Sequence, residues 1–341
     1  MTPGVLGWDI GGVNTKGARL DGSGSLPQTI ALPYELQHEP AALGSVLRSA
    51  ARQLGAIPGD RHAVTMTAEL SQAFRSKREG VAFVLDALES VFPADCLHVY
   101  TVPGKFVSPQ EGRLSAREVA ASNWAATARW VARQCPTCVL LDVGTTTTDL
   151  IPLVEGRVAA SGATDPERLL ARELIYTGAL RTPVEAVAQR VPLWGGNAGV
   201  SAEGFALMGD VHLWLGRLSP EDYTCPTPDR RPASREYAGE RLARVVCADR
   251  DMLDEHSLDV IATALAHAQR DEIVSALLEL RRRHQQIDTA VVAGLGEFIA
   301  SDAANQAGLR VISLSQEVGS AAVTAPAVAV ACLLQESLAA V

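Results

Sequence analysis

Short apolar runs bounded by glycine-containing turns alternate along this chain with longer stretches of helical period. The first run, VLGW, breaks at DIGGVNTK (Asp9 to Lys16) and resumes with GARL and further extended residues, the pattern of a β-hairpin. From Val139 to Leu153 the sequence VLLDVGTTTTDLIPL repeats that pattern. At an offset of 133 residues Asp9 falls on Asp142, Gly11 on Gly144, Thr15 on Thr148 and Lys16 on Asp149. Between the two hairpins, EPAALGSVLRSAARQLG reads as a helix, RHAVTMTAE as a strand, REGVAFVLDALESVF as a helix and CLHVYTV as a strand. SAREVAASNWAATARWVARQ reads as one helix, capped by Ser115 with Glu118 at capping-box spacing. After the second hairpin, GDVHLWLG reads as a strand with Asp210 and His212 on one side. Helices are expected over Ser234 to Ala248 and Leu258 to Gln285, then the strand DTAVVAG, a glycine turn, and a buried last helix beginning near Pro326. The alternation predicts an α/β fold in two halves, each a mainly parallel sheet covered by helices, residues 1–134 and 135–341. The boundary is expected near Gln134 to Thr137.

Composition narrows the partners. With 47% hydrophobic residues the 341-residue chain has ample material for two cores. Its formal net charge of −9, without a Lys/Arg run, argues against nucleic acid or an anionic membrane as partner. A small anion remains compatible, because a few donors in one pocket suffice. Asp9 arrives too early for a signal peptide, and AAVTAPAVAVACLL is short for a membrane span, so a cytoplasmic location is expected. Six cysteines are too few for a disulfide framework in a chain this long. Cys135 and Cys138 form a single CxxC, best read as structural cysteines beside a strand.

The two loops carry the chemistry. Each places an acid at the end of an apolar strand, then glycine, then small hydroxyl or amide residues. Glycine lets backbone N–H groups approach an anion, and Asn or Thr side chains add donors. The carboxylate before each turn suits a hard cation such as Mg²⁺ against phosphate oxygens. One such hairpin is ordinary turn chemistry; two in equivalent places, one domain apart, point to a shared function.

Paired loops of this type, followed late by VVAGLGEFIA, resemble the actin, sugar-kinase and Hsp70 ATPase superfamily, in which the ligand lies in a cleft between two ribonuclease H-like domains. Gly294 and Gly296 would then form the nucleoside-contacting turn. Across nearly the whole chain, VTMTAEL, AASNW, LLDVGTTTTDLIPL, RELIYTGALRTPV, VSAEGFALMGDVHLWLG, EDYTCPTPDRRPASRE and VVCADRDML resemble the hydantoinase A/oxoprolinase-like proteins of tetrahydromethanopterin-linked one-carbon metabolism. Ala68 and SQAF depart from the MTGEL and Asp-Cys-Phe expected there. That group includes the condensing enzyme of methanofuran biosynthesis. The resemblance therefore implies a transferase that joins an aminomethylfuran-methyl diphosphate to the phenol of γ-glutamyltyramine, or of a related tyramine or tyrosine derivative, and releases diphosphate.

Combined with the loops, the resemblance implies a set of roles. Gly11, Gly12, Asn14, Thr15 and Lys16, with Gly144, Thr145, Thr146 and Thr147, would hold the diphosphate, and Asp9 and Asp142 would hold Mg²⁺. Asp149 or Glu69 would take the proton of the phenol, whose pKa is near ~10. Tyr176, Arg181, Thr182, Glu203, Asp210 and His212 are candidates for positioning the second substrate, Arg181 being suited to a glutamyl carboxylate. The competing readings are an ATP-dependent small-molecule kinase or ATP-driven hydrolase, which alone would need ATP, a non-catalytic actin-type ATP-binding protein, and cyclic amide cleavage. The oligomeric state is left open, a homodimer included.

Overall fold

The computed structural model describes residues 4–21 and 27–340. The chain divides into two compact units, one of Met1–Cys138, Ile151–Leu170 and Leu314–Val341, the other of Val139–Leu150 and Ala171–Ser313.

In the first unit β1 (Val5–Ile10), β2 (Asn14–Leu20), β3 (Gln28–Pro33), β4 (Arg61–Met66), β5 (Leu97–Tyr100) and β6 (Phe106–Val107) form one sheet in the order β3-β2-β1-β4-β5-β6. The hairpin makes β1 and β2 antiparallel, with Asp9 opposite Lys16, whereas β1 and β4 run parallel with Asp9 beside Thr65. Helices α1 (Leu43–Gln53) and α2 (Lys77–Glu89) contribute Leu43, Leu47, Val81, Val84, Leu85 and Leu88 to the core under this sheet.

The stretch expected as one helix from Ser115 is three: α3 (Pro109–Leu114), α4 (Ala116–Val119) and α5 (Asn123–Val131). Ser108 and Glu111 form the capping box, with Pro109 in the first turn, while Ser115 makes no side-chain cap bond. Ala121, at φ 52°, then turns the chain from α4 into α5.

The second sheet uses β7 (Cys138–Val143), β8 (Thr148–Val154), β9 (Arg157–Val158), β10 (Leu174–Ile175), β13 (Thr289–Ala293) and β14 (Arg310–Ser313). Its order is β10-β8-β7-β13-β14, with β9 against β8. A separate hairpin is formed by β11 (Arg190–Leu193) and β12 (Gly196–Gly199). Reading outward from β1 and from β7 gives the same arrangement, the hairpin strand and one further antiparallel strand (β3 or β10) on one side and two parallel strands on the other, with the short antiparallel β6 added at the edge of the first sheet. This is the two-fold ribonuclease H-like architecture, and its hairpins make the sheets mixed rather than mainly parallel.

The remaining helices are α6 (Asp165–Leu170), α7 (Val184–Val187), α8 (Met208–Trp214), α9 (Arg235–Arg244), α10 (Glu255–Arg283), α11 (Glu297–Gln306), α12 (Leu314–Val318) and α13 (Ala325–Ala339). Asp210 and His212 thus lie on a helix, not a strand. All seven residues of α8 are buried, so alternation carried no information about its period. In α10 the cap Asp254 accepts from the Ser257 amide, and a buried stripe follows at helical spacing, with Gln269 its one polar member. The C-terminal helix α13 belongs with the first unit, against β1 and α5, and not with the second half as the sequence implied. By length and composition Ala321–Ala339 is apolar enough to cross a membrane, but here it is a core helix. None of the six cysteines forms a disulfide, and the Cys138 thiol donates to the Cys135 carbonyl at 3.3 Å.

Candidate active site

The two hairpin loops are built alike. The amide of Gly11 donates to the carbonyl of Asn14 at 2.9 Å, and that of Gly144 to Thr147 at the same distance. Both pairs are related by the 133-residue offset. In each unit, the segment following the third strand then binds the loop's carbonyls. Leu36 and Tyr34 donate to Gly12 and Val13 at 3.0 and 3.1 Å. Ala179 donates to Gly144 at 2.9 Å, and Leu180 and Arg181 both donate to Thr145, at 3.1 and 2.9 Å. A peptide whose carbonyl is tied back turns its N–H the other way. Among the described residues the amides of Thr145 and Thr146 meet no acceptor. Donors so fixed are what an oxyanion needs.

Loop 1 adds buried side chains with open valences. Asp9 is 5% exposed, and its Oδ1 has no hydrogen-bond partner among the described residues. Burial pushes its carboxyl up from the ordinary value, and Lys16 across the hairpin pulls it back. The buried Thr15 hydroxyl is unpartnered too, whereas its counterpart Thr148 donates to the Thr177 carbonyl at 2.7 Å. An orphaned buried carboxylate oxygen fits a hard cation, which would relieve the cost of keeping Asp9 ionised. No group of three or more His, Cys, Asp or Glu side chains is placed to hold a metal among the described residues. A cation here would therefore complete its shell with water and phosphate oxygens.

Loop 2 rests on Gly178. A Cβ at that position would lie 2.6 Å from the backbone of Thr146, so only glycine permits the approach. Thr182 Oγ1 accepts the Gly178 amide at 2.8 Å, and Gln269 Nε2 donates to Thr177 Oγ1 and to the Gly178 carbonyl, both at 2.9 Å. With both amide hydrogens of Gln269 spent, its Oε1 is an acceptor, so His212 Nε2, at 2.8 Å, carries the proton. Its Nδ1 is bare, and burial lowers the imidazole from 6.5 to about 4. His212 is a neutral donor bracing Gln269, and through it the floor of loop 2. Asp210 is likewise buried, held by Arg241 at 2.8 Å and by the Tyr223 hydroxyl at 3.3 Å. Both belong to a packed network in place of an open substrate surface.

Glu69 follows the end of β4, on a short 3-10 turn. The Thr67 amide donates to the Ile10 carbonyl at 2.9 Å, which ties this turn to the start of loop 1. The Glu69 side chain is 1% exposed, and neither oxygen has a hydrogen-bond partner among the described residues. Lys77 Nζ lies 3.6 Å away. Burial pushes this carboxyl up to about 7, against the pull of Lys77. Asp149, the other candidate base, is half-buried on β8 beside Leu174.

The other candidates are dispersed. Tyr176 is 63% exposed just past β10, Arg181 is exposed, and Glu203 sits on an exposed loop. Gly294, at φ 90°, lies so close to Asp142 that a Cβ would come within 2.3 Å of its Oδ1, and the Gly296 amide donates to the Val143 carbonyl at 2.8 Å. The GLG turn therefore packs against the strand end that leads into loop 2.

The hydantoinase/oxoprolinase family model matches residues 60–337. The chain belongs to the hydantoinase/oxoprolinase family. Within it, the chain is 35% identical over 336 residues to the (4-{4-[2-(gamma-L-glutamylamino)ethyl]phenoxymethyl}furan-2-yl)methanamine synthase of Methanocaldococcus jannaschii, covering 98% of each chain. It is 34% identical over 206 residues to the synthase of the same name from Methanococcus vannielii, 59% of this chain and 92% of that protein. Among solved structures, nucleotide-free acetone carboxylase shares the fold at a TM-score of 0.60 and 12% identity, over 96% of this chain and 70% of that one.

Several residues of this hydantoinase/oxoprolinase chain enter the site unannounced by sequence. Gln269 stood inside a long helical pattern, marked only as a polar residue on an apolar stripe. Gly178 lay within the motif-like IYTGALRT without a role of its own. Lys77 and Asp165 carried no signal, because their relation to Glu69 exists only in the fold.

Proposed function

We propose that this protein is a transferase of methanofuran-type cofactor biosynthesis. It joins a furan-methyl diphosphate to the phenol oxygen of a tyramine or tyrosine derivative and releases diphosphate. The observation that carries this reading is the 35% identity, end to end, with a synthase whose name describes a phenoxymethylfuran, a phenol oxygen bonded to a furan methylene.

The residues support the roles this chemistry needs. In loop 1 the Gly12 amide is open to a phosphate oxygen, the Gly11 amide being spent on the Asn14 carbonyl, and Lys16 adds positive charge; in loop 2 the Thr145 and Thr146 amides are open in the same way. Asp9 in loop 1 would hold Mg²⁺, with Asp142 the corresponding carboxylate of loop 2; the ion, when bound, would stabilise the charge growing on the departing diphosphate. The furan ring stabilises positive charge at its methylene carbon, so the protein's main task is to bind the leaving group. Glu69 is the better of the two base candidates: a buried carboxyl at about 7 with open oxygens is poised to take a proton near neutral pH.

The test combines purified protein, Mg²⁺, the aminomethylfuran-methyl diphosphate and γ-glutamyltyramine without ATP. Stoichiometric diphosphate and ether product are expected, with loss of turnover in EDTA and slower release when Asp9 or Asp142 becomes alanine. Product formation that requires ATP would overturn the reading in favour of an ATP-driven enzyme.

A further inference from the structure

Two elements of the first unit bring charge to Glu69. Helix α2 begins at Lys77 behind the cap Ser76 and passes so close that a Cβ on Gly80 would lie 2.5 Å from the Glu69 carbonyl oxygen. Helix α6 begins at Asp165. The charged groups acting on Glu69 are Lys77 from α2 and Asp165 from α6. Lys77 Nζ is shared unequally: it lies 2.5 Å from Asp165 Oδ2 but 3.6 Å from Glu69 Oε1. The close partner is the more hydrated one, Asp165 being 20% exposed and Glu69 1%.

We propose that Asp165 is a positioning residue for the Glu69 base: by taking the short hydrogen bond of Lys77, it keeps that ammonium from closing onto Glu69. This rests on the reading of Glu69 as the base. A fully formed Lys77–Glu69 pair would occupy the lone pair that must receive the phenol proton, and would hold the carboxyl ionised well below neutrality. With Lys77 drawn aside, Glu69 stays open and titrates where it is useful. In the step served, the phenol oxygen bonds to the furan methylene as the bond from that carbon to the diphosphate oxygen breaks. The electron pair leaves with diphosphate, the phenol proton passes to Glu69, and Glu69 then returns it to water.

The experiment uses the full chain with Asp165→Asn, Lys77→Met and the double variant, and reads two quantities. One is the pH profile of kcat/KM with the substrates above. The other is the titration of the Glu69 carboxyl by ¹³C NMR of glutamate-labelled protein, assigned by difference from Glu69→Gln. Asp165→Asn is expected to lower the Glu69 midpoint and the acidic limb of the profile by roughly one pH unit, and Lys77→Met to raise both. In the Lys77→Met background, Asp165→Asn should move both by clearly less, because only the direct repulsion between the two carboxylates is left once the lysine is gone. An unchanged Glu69 midpoint in Asp165→Asn, or an equal shift without the lysine, would overturn the proposal. A midpoint that moves while the kcat/KM profile stays fixed would keep the positioning role and overturn Glu69 as the base.

Discussion

Lys77 Nζ stands 3.6 Å from Glu69 Oε1, too far for a well-formed hydrogen bond and too near to ignore. The carboxyl is thereby buried with only a partial counter-charge, and its folded-state value of about 7 exceeds the ordinary 4.5. A raised value means the folded protein holds the proton more tightly than the unfolded chain. Stability from this group is therefore complete below pH 4.5 and lost as pH rises through 7, at a cost on the order of 3 kcal/mol. Glu69→Gln is expected to cut turnover by about 10²-fold or more. It should also raise the melting temperature at pH 8, with the gain shrinking as pH falls toward 5. Thermal melts across that range, beside activity assays, check both. A variant that is less stable than wild type at pH 8 would contradict the burial argument.

Loop 1 and loop 2 allow a contrast between glycines. At Gly12 an added Cβ meets nothing within 4 Å, whereas at Gly178 it would lie 2.6 Å from the Thr146 backbone. Gly12→Ala should leave the melting temperature unchanged and weaken binding of inorganic diphosphate, because the only thing for the new methyl to strike is the ligand. Gly178→Ala should lower both, since something in loop 2 must shift. Calorimetric titration with diphosphate, together with melts, separates the two. Unchanged affinity in Gly12→Ala would place the anion elsewhere.

Gln269 is the single polar residue in the buried stripe of α10, and it satisfies three partners at once. Gln269→Leu keeps the volume but leaves His212 Nε2, Thr177 Oγ1 and the Gly178 carbonyl without that partner. Unsatisfied buried groups cost about 1–3 kcal/mol each, so a total of several kcal/mol is expected in chemical denaturation. The effect on function should fall on KM for the diphosphate ester more than on KM for the phenol, because the loop held by Gly178 is the phosphate loop.

How far the sequence disclosed these features depended on the kind of interaction. The two loops were visible because their residue types recur at a fixed offset, and the identical Gly11–Asn14 and Gly144–Thr147 bonds are the backbone form of that repeat. Glu69 was visible as an acid at a strand end. Its perturbation was not, since the burial and the competing Lys77–Asp165 contact come from helices distant in sequence. Asp210 and His212 were misplaced on a strand because α8 is buried on all sides, leaving no polar face to reveal its period. Ser115 failed as a cap because Ser108, Pro109 and Glu111 formed a stronger start just upstream. The last helix joined the first unit through contacts with β1 that no local pattern could announce.

Histidine 62 gives the opposite pH signature to Glu69. Its Nδ1 accepts from the Trp8 indole at 3.1 Å, its ring stacks on Phe92 at 4.0 Å, and burial lowers it from 6.5 to about 4. Here the folded state resists protonation. The stability contributed by neutral His62 is present above pH 6.5 and lost as pH falls toward 4, an effect of about 3 kcal/mol at its full extent. Over that window Glu69 regains stability as it protonates, so the net slope of the wild-type protein hides both groups. Differences between variants expose them. His62→Gln keeps an acceptor for the indole but does not titrate, and it should flatten the acidic decline. Glu69→Gln should steepen it. Urea midpoints at pH 7, 5.5 and 4.5 check the pair, and a His62→Gln profile parallel to wild type would show that His62 is not the group resisting acid.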